Sequence, residues 1–354
     1  MTGFLEFLII AIKCVAVFAV VMLGVPFMVW FERKVVAHFQ SRLGPMYVGP
    51  HGILQPFADA IKLMFKEDFL PPQADKVIYY IAPLIGITTA FLGFSVIPFG
   101  PDTTLFGLLE TPIPLRLTDL NIGLLIVFSA TAMGVYGIVL AGWSSNSKYA
   151  LLGALRSTAQ MASYELSLGL STVAVLMLAG SLSLNSIVNS QSGYLLGFIP
   201  RWYIFQAPPM GFFAFLLYFI CGVAETNRAP FDFPEAEQEL VAGFHTEYSS
   251  MKFAMFFMSE YINMIGVSCL ATTLFLGGWN GWGASPETSY GWIVGLGWFV
   301  AKVLFLLFVY VWLRATLPRL RYDQLMAFGW KCLFPLSLAN ILATAVWISL
   351  RAMS

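Results

Sequence analysis

Apolar runs long enough to cross a bilayer recur along this chain, separated by polar connections. A spanning helix needs about 20 apolar residues. The pattern predicts eight, over 4–31, 77–99, 122–142, 151–180, 203–224, 251–280, 292–313 and 333–350. The first is long enough to be tilted. The fifth is irregular. Its clean apolar run, Gly211–Ala224, is too short to cross, and extending it back to Tyr203 takes in Pro208 and Pro209. This helix is therefore either kinked or starts late, which would put Glu225 below the headgroup level. No internal repeat and no long linker interrupts the pattern. The chain reads as one transmembrane domain over 1–354, an all-α polytopic membrane protein with about eight transmembrane helices.

One polar connection carries its own helical period. From Gln55 to about Lys66, Leu54, Phe57, Ile61, Met64 and Phe65 repeat at helical spacing, and Asp59, Lys62 and Lys66 share the other face. Pro56 suits a first helical turn. Such an amphipathic helix lies in the membrane surface. Lys and Arg concentrate in alternate connections, with Arg33, Lys34, Arg42, Lys62, Lys66 and Lys76 after the first span, Lys148 after the third, Arg228 and Lys252 after the fifth, and Arg314, Arg319, Arg321 and Lys331 after the seventh. The opposite connections hold little more than Arg116 and Arg201. The positive-inside rule makes the first set, with the surface helix, cytoplasmic and points both termini outward. Trp279, Trp282 and Trp292 suit an outer interfacial belt.

Composition agrees with this pattern. Of 354 residues, 58% are hydrophobic and 11% charged, with a mean hydropathy of +0.78. Soluble domains average about 25% charged residues. Net charge is zero, so no basic field points to nucleic acid. Lys13 interrupts the first apolar run, so no signal peptide is expected there. Cys14, Cys221, Cys269 and Cys332 are far apart and read as inert small residues. His38, His51 and His245 fall in polar connections, where they cannot ligate a membrane haem. No metal-ligand spacing or dinucleotide fingerprint occurs, so no resident metal or redox centre is expected.

Against this background the carboxylates stand out. Six of the chain's 19 acidic residues, Glu225, Asp232, Glu235, Glu237, Glu239 and Glu247, crowd into the segment between the fifth and sixth spans, about 225–250. Glu235 and Glu239 are four apart and would share a helix face. Pro230 and Pro234 make the stretch from Arg228 to Pro234 a turn. Phe231, Phe233, Leu240, Val241 and Phe244 interleave with the acids, which predicts a packed loop. Glu165 is mid-span, and Glu260 follows Lys252 by eight residues, about 12 Å along a helix. Lys13 and Lys302 also fall near the centres of their spans. Ionised groups at such depth cost about 3 kcal/mol or more and mark functional sites or structural ion pairs. Gln160, Ser163, Tyr164, Ser167 and Ser171 surround Glu165, and Ser259, Tyr261, Asn263 and Ser268 surround Glu260, which favours a wet interior. Proton handling, cation binding and docking of a polar partner are the chemistries open to such a set.

Several motifs together resemble the H-chain family of bacterial NADH:quinone oxidoreductase, or respiratory complex I. They are Glu32-Arg33-Lys34; QSRLGPMYVGPHGILQPFADAIKLMFKE from Gln40 to Glu67; AGWSSNSKYALLGALRSTAQMASYE from Ala141 to Glu165; the acidic segment; MSEYIN around Glu260; and RATLPRLRYDQLMAFGWK from Arg314 to Lys331. They spread over most of the chain in the family's order. The resemblance implies a membrane subunit at the quinone site, with quinone as substrate and no redox centre of its own. FMN and iron–sulfur clusters would reside on partner subunits, the peripheral chains beside the terminal cluster, with further membrane chains alongside. Glu32, Arg33, Asp59, Lys62 and Arg228 would line or guard the quinone chamber, and Glu235, Glu237 and Glu239 would form its acidic wall. Glu165, Glu225, Glu247 and Glu260 would continue as a proton route toward the other membrane subunits. Competing readings are the equivalent subunit of a hydrogenase-type or other donor-linked complex, a stand-alone proton- or cation-coupled transporter, and a mere membrane anchor, which leaves Glu165 and Glu260 unexplained.

Overall fold

The computed structural model describes residues 2–103, 112–195, 197–232, 243–284 and 290–353. Its architecture is helical: α1 (Thr2–Phe39), the short α2 (Gln55–Phe65), α3 (Lys76–Leu92), α4 (Gly123–Ser144), α5 (Lys148–Ala179), the short α6 (Leu184–Ser190), α7 (Met210–Glu225), α8 (Ser250–Phe275), α9 (Gly291–Thr316), α10 (Tyr322–Phe328) and α11 (Phe334–Met353). A two-residue ribbon, Tyr194–Leu195 with Ile199–Pro200, is the one sheet among the described residues. Seven of the expected spans are helices long and apolar enough to cross a membrane, and α7 is the shorter eighth, 16 residues long.

Local chemistry sets the boundaries. The Asp75 carboxylate accepts from Val77 N and Ile78 N and starts α3. Gly180, at φ 67°, ends α5 in the left-handed conformation that glycine adopts without strain. The fifth span starts late: Pro208 and Pro209 precede α7, and the helix begins at Met210. The sixth stops at Phe275, short of the expected 280, before Gly277 and Gly278 at positive φ. The first helix runs past the expected residue 31 to Phe39, so Glu32 and Arg33 are helical. The last starts earlier than expected. Its polar lead is already helical as α10, and a π-turn over Gly329–Leu333 joins it to α11.

The core runs through α5, α7, α8 and α9, with Tyr164, Tyr218, Phe275, Leu306 and Tyr310 buried at its centre. A second cluster, of Tyr79, Ala82, Ala141, Ala154, Phe244, Tyr248 and Phe256, sits nearer the charged connections. Small residues let the helices approach. A Cβ on Gly137 of α4 would lie 3.1 Å from Ala82 O and Gly86 N of α3. By contrast α1 stands at the edge. Phe7, Ile12, Val15, Val20 and Leu23 are exposed, and a largely apolar groove of about 460 Å³ separates α1 from α9.

The two membrane lysines have different surroundings. Lys13 lies at one end of the groove beside Arg116, which pairs with Asp102 at 2.8 Å and Asp119 at 3.3 Å. Lys302 is buried, and its Nζ donates to Leu276 O, Gly278 O and Asn280 O at 2.6–2.8 Å. These carbonyls follow the end of α8, where a cation opposes the helix dipole. The Trp202 ring lies 4.2 Å from the same ammonium. Lys302 is thus a structural clasp between α8, α9 and the loop before α7. Lys302→Met should strip three carbonyls of their donor and cost about 2–4 kcal/mol. The thermal unfolding midpoint of the purified protein in detergent should fall by several degrees, and an unchanged midpoint would remove this role.

Candidate functional site

Helical spacing alone separates Glu32 from Arg33: adjacent positions point about 100° apart on α1. Glu32 turns inward and is 6% exposed. A buried carboxylate is tolerated only with partners, and three other segments supply them. The Tyr261 hydroxyl of α8 donates at 2.7 Å. Arg314, in the last turn of α9, hydrogen-bonds the carboxylate. Arg228, in the turn after α7, lies 3.8 Å away and stacks its guanidinium 4.1 Å from the Tyr261 ring centroid. The cluster therefore brings one acid, two arginines and a tyrosine together at the membrane edge.

Arg33 turns outward to the surface helix. It pairs with Asp59 of α2 at 2.6 Å, and Gln55 donates to the other Asp59 oxygen at 3.0 Å. Lys62, one turn along α2, is exposed. Phe57, Ile61, Met64 and Phe65 form an exposed apolar face on the same helix, as its spacing predicts. Glu32, Arg33, Asp59 and Arg228 thus converge where α1, α2 and α8 meet, and Lys62 stands at the rim.

The turn after α7 leads from this cluster into the membrane. Gln160 of α5 donates to Ala224 O and Phe231 O, both at 2.8 Å, and so fixes both ends of the segment 224–231. Glu225 occupies one end, Arg228 the middle, and Asp232 follows, paired with Arg319 at 3.3 Å. Glu235, Glu237 and Glu239 lie outside the described residues. Glu225 is buried, hydrogen-bonds the Thr131 hydroxyl and feels the charge of Glu165. It borders two small cavities of about 30 Å³ each. One is shared with Glu260, Asn263 and Asn227, and the other with Thr131, Tyr218 and Asn263. Each has room for a water molecule. The Asn227 side-chain oxygen, beside the first cavity, is buried without a hydrogen-bond partner among the described residues, and a polar group of that kind favours water over apolar filling. The first cavity thus joins Glu225 and Glu260, and Glu165 lies within electrostatic reach of Glu225. Glu247 does not line these cavities. It is half-buried farther along, and its backbone oxygen accepts from the Tyr79 hydroxyl at 2.6 Å.

Three contributors were given no site role by the sequence: Arg314, Tyr261 and Thr131. Tyr261 adjoins Glu260, and Arg314 was already visible among the cations of its connection. Neither pattern says that they meet a carboxylate on α1. Among the described residues, no cluster of three or more His, Cys, Asp or Glu side chains forms a metal site.

Comparison with known proteins adds two findings. Residues 12–345 match the family described as NADH dehydrogenase. The chain is similar to the second H-type subunit of NADH-quinone oxidoreductase from Koribacter versatilis, 53% identical over 98% of each chain. It is 52% identical to the second H-type subunit of the same enzyme from Geobacter metallireducens, over 97% of this chain and 96% of that one. With the H-type subunit of NADH-quinone oxidoreductase from Thermomicrobium roseum the identity is 54% over 91% of each.

Burial separates the two arginine pairs energetically. Arg228→Ala should leave Glu32 short of a partner in a buried setting and cost about 3–5 kcal/mol. Arg33→Ala breaks a pair whose arginine is half exposed, worth about 1 kcal/mol or less. Denaturant unfolding of the two variants should rank them in that order. Equal losses would mean that the Glu32 cluster carries no special weight.

Proposed function

The chain belongs to the NADH dehydrogenase family, and from that premise we propose that it is the quinone-site membrane subunit of a proton-translocating NADH:quinone oxidoreductase. It is part of an enzyme complex and spans the membrane several times. Quinone is the substrate. Partner chains carry FMN and the iron–sulfur clusters and complete the chamber over the face formed by Glu32, Arg33, Asp59, Lys62 and Arg228. The connections rich in Lys and Arg face the cytoplasm, and both termini face the periplasm of a bacterial inner membrane.

One observation carries the coupling role: the turn 225–232 holds Arg228 against Glu32 at one point and buries Glu225 at another. Reduction of quinone takes up two electrons and two protons and changes the charge beside the arginine cluster. Arg228 feels that change, and Glu225 lies three residues away on the same fixed turn. Glu225, Glu165 and Glu260 then respond as a group, because closely coupled carboxylates titrate together. Glu247 is assigned to the same route, and Glu235, Glu237 and Glu239 to the acidic wall of the quinone chamber.

The quinone headgroup is polar and its tail apolar, so it needs aromatic and aliphatic walls with a few polar groups. The exposed apolar face of α2 and the lipid-facing side of α1 supply such walls beside Arg33 and Asp59. These support a portal from the lipid at that edge.

Two sets of variants test the reading in the assembled complex. Asp59→Asn and Arg33→Ala should lower NADH:quinone turnover about tenfold while sparing electron transfer from NADH to a soluble artificial acceptor. Equal loss of both activities would point to failed assembly. Glu225→Gln, Glu165→Gln and Glu260→Gln should lower proton translocation per NADH oxidised, measured in sealed vesicles. Normal translocation at normal turnover would remove these carboxylates from the route.

A further inference from the structure

We propose that Lys252 is a positioning residue that locks the surface helix to the end of the acidic segment, so that the quinone face and the carboxylate route move as one unit. This rests on the function proposed above and assigns a residue that the reaction scheme does not otherwise use.

Ser249 and the first residues of α8 hold the last turn of α2 and the residues just past it at three points. Ser249 Oγ donates to Glu67 O at 3.1 Å, and Ser250 Oγ donates to Leu63 O at 3.0 Å. Lys252 Nζ pairs with Asp68 at 2.9 Å. The lysine side chain is only 8% exposed, so this pair is held in place, whereas Asp68 is half exposed. The ammonium also rests on the faces of Tyr79 and Tyr80, at 4.7 and 4.2 Å from their centroids. Each such contact adds attraction, more so where water is excluded.

Beneath Lys252 the same tyrosine organises the acidic segment's end. Tyr79 stacks on Tyr248, with centroids 4.1 Å apart and planes 4° from parallel. Its hydroxyl donates to Glu247 O. Tyr248 Oη hydrogen-bonds Ser144 Oγ at 3.1 Å. Burial pushes the Tyr248 hydroxyl up to about 12, so it keeps its proton at neutral pH.

Lys252 is thus the cation common to two assemblies. One is α2, whose Asp59 grips Arg33 one helical turn before Leu63. The other is the Tyr79–Tyr248 stack, which holds the Glu247 backbone, together with α8, which carries Glu260 and the Tyr261 that binds Glu32. A displacement of α2 reaches the carboxylates through this contact.

The test uses the whole complex in native membranes, with Lys252→Met, Lys252→Arg and Asp68→Asn. Lys252→Met keeps the apolar stem and removes the charge. Asp68→Asn alters only a half-exposed side chain and carries the test if Lys252→Met fails to assemble. Both neutralising variants should raise the KM for a short-chain quinone about fivefold and also lower the protons translocated per NADH. Lys252→Arg should restore both. NADH oxidation by ferricyanide, which reports assembled complex, should be unchanged. A fall in ferricyanide activity with normal KM and normal proton yield would make Lys252 a mere staple and overturn the proposal. A shift in KM alone, or in proton yield alone, would equally overturn it, since the two sites would not be joined here. If the wild-type complex fails to reduce quinone with NADH, it is the underlying function that falls.

Discussion

A single carboxylate buried at the edge of the membrane organises much of this protein. Glu32 cannot be left without partners in such a setting, and its partners come from α8, α9 and the turn after α7. The requirement therefore draws four segments, far apart in sequence, to one point. Arg228 is both a partner of Glu32 and a member of the turn that buries Glu225. The electrostatics of the surface cluster and those of the interior are tied to one another through a few residues of backbone. Gln160 makes that tie rigid by holding both ends of the turn.

The opposite face of the bundle solves the same problem with the charges reversed. There Lys302 is the buried ion, and backbone carbonyls past the end of α8 are its partners. In hydrocarbon every polar group must be satisfied within the protein, and the two faces show two ways of doing it. At one end side-chain ions pair with one another. At the other an ammonium stands in for the donors that a helix terminus lacks. The helices α8 and α9 are thereby pinned at both ends.

How much of this was legible in the sequence depends on range. The spans and the surface helix follow from local periodicity, and Gln55–Phe65 forms where its apolar spacing predicts. Pro208 and Pro209 left open a kink or a late start, and α7 starts late. The overrun of α1 to Phe39 was missed because its last turns are polar, and hydropathy cannot tell a projecting helix from a loop. The π-turn at Gly329–Leu333 likewise leaves no periodic trace. Glu165, Glu225 and Glu260 were visible as candidates, since acids in such surroundings are rare, and Asp59 through the family resemblance. That Arg314 and Tyr261 complete the Glu32 cluster was not visible, because those pairings span 229 and 282 residues and no pattern along the chain encodes them. The sequence left Lys302 open between a functional charge and a structural ion pair, and its partners are backbone carbonyls, which carry no signature along the chain.

The overrun of α1 also has a mechanical side. Its 38 residues extend about 57 Å at 1.5 Å per residue, against a hydrocarbon layer of about 30 Å. One end is anchored by Glu32, while much of the other half faces lipid. Such a helix projects or leans, and leaning is resisted by the stiffness of the surrounding lipid as well as by protein contacts. The width of the groove between α1 and α9 is then set partly by the elasticity and thickness of the bilayer, so that the membrane acts as a spring in the structure of this edge.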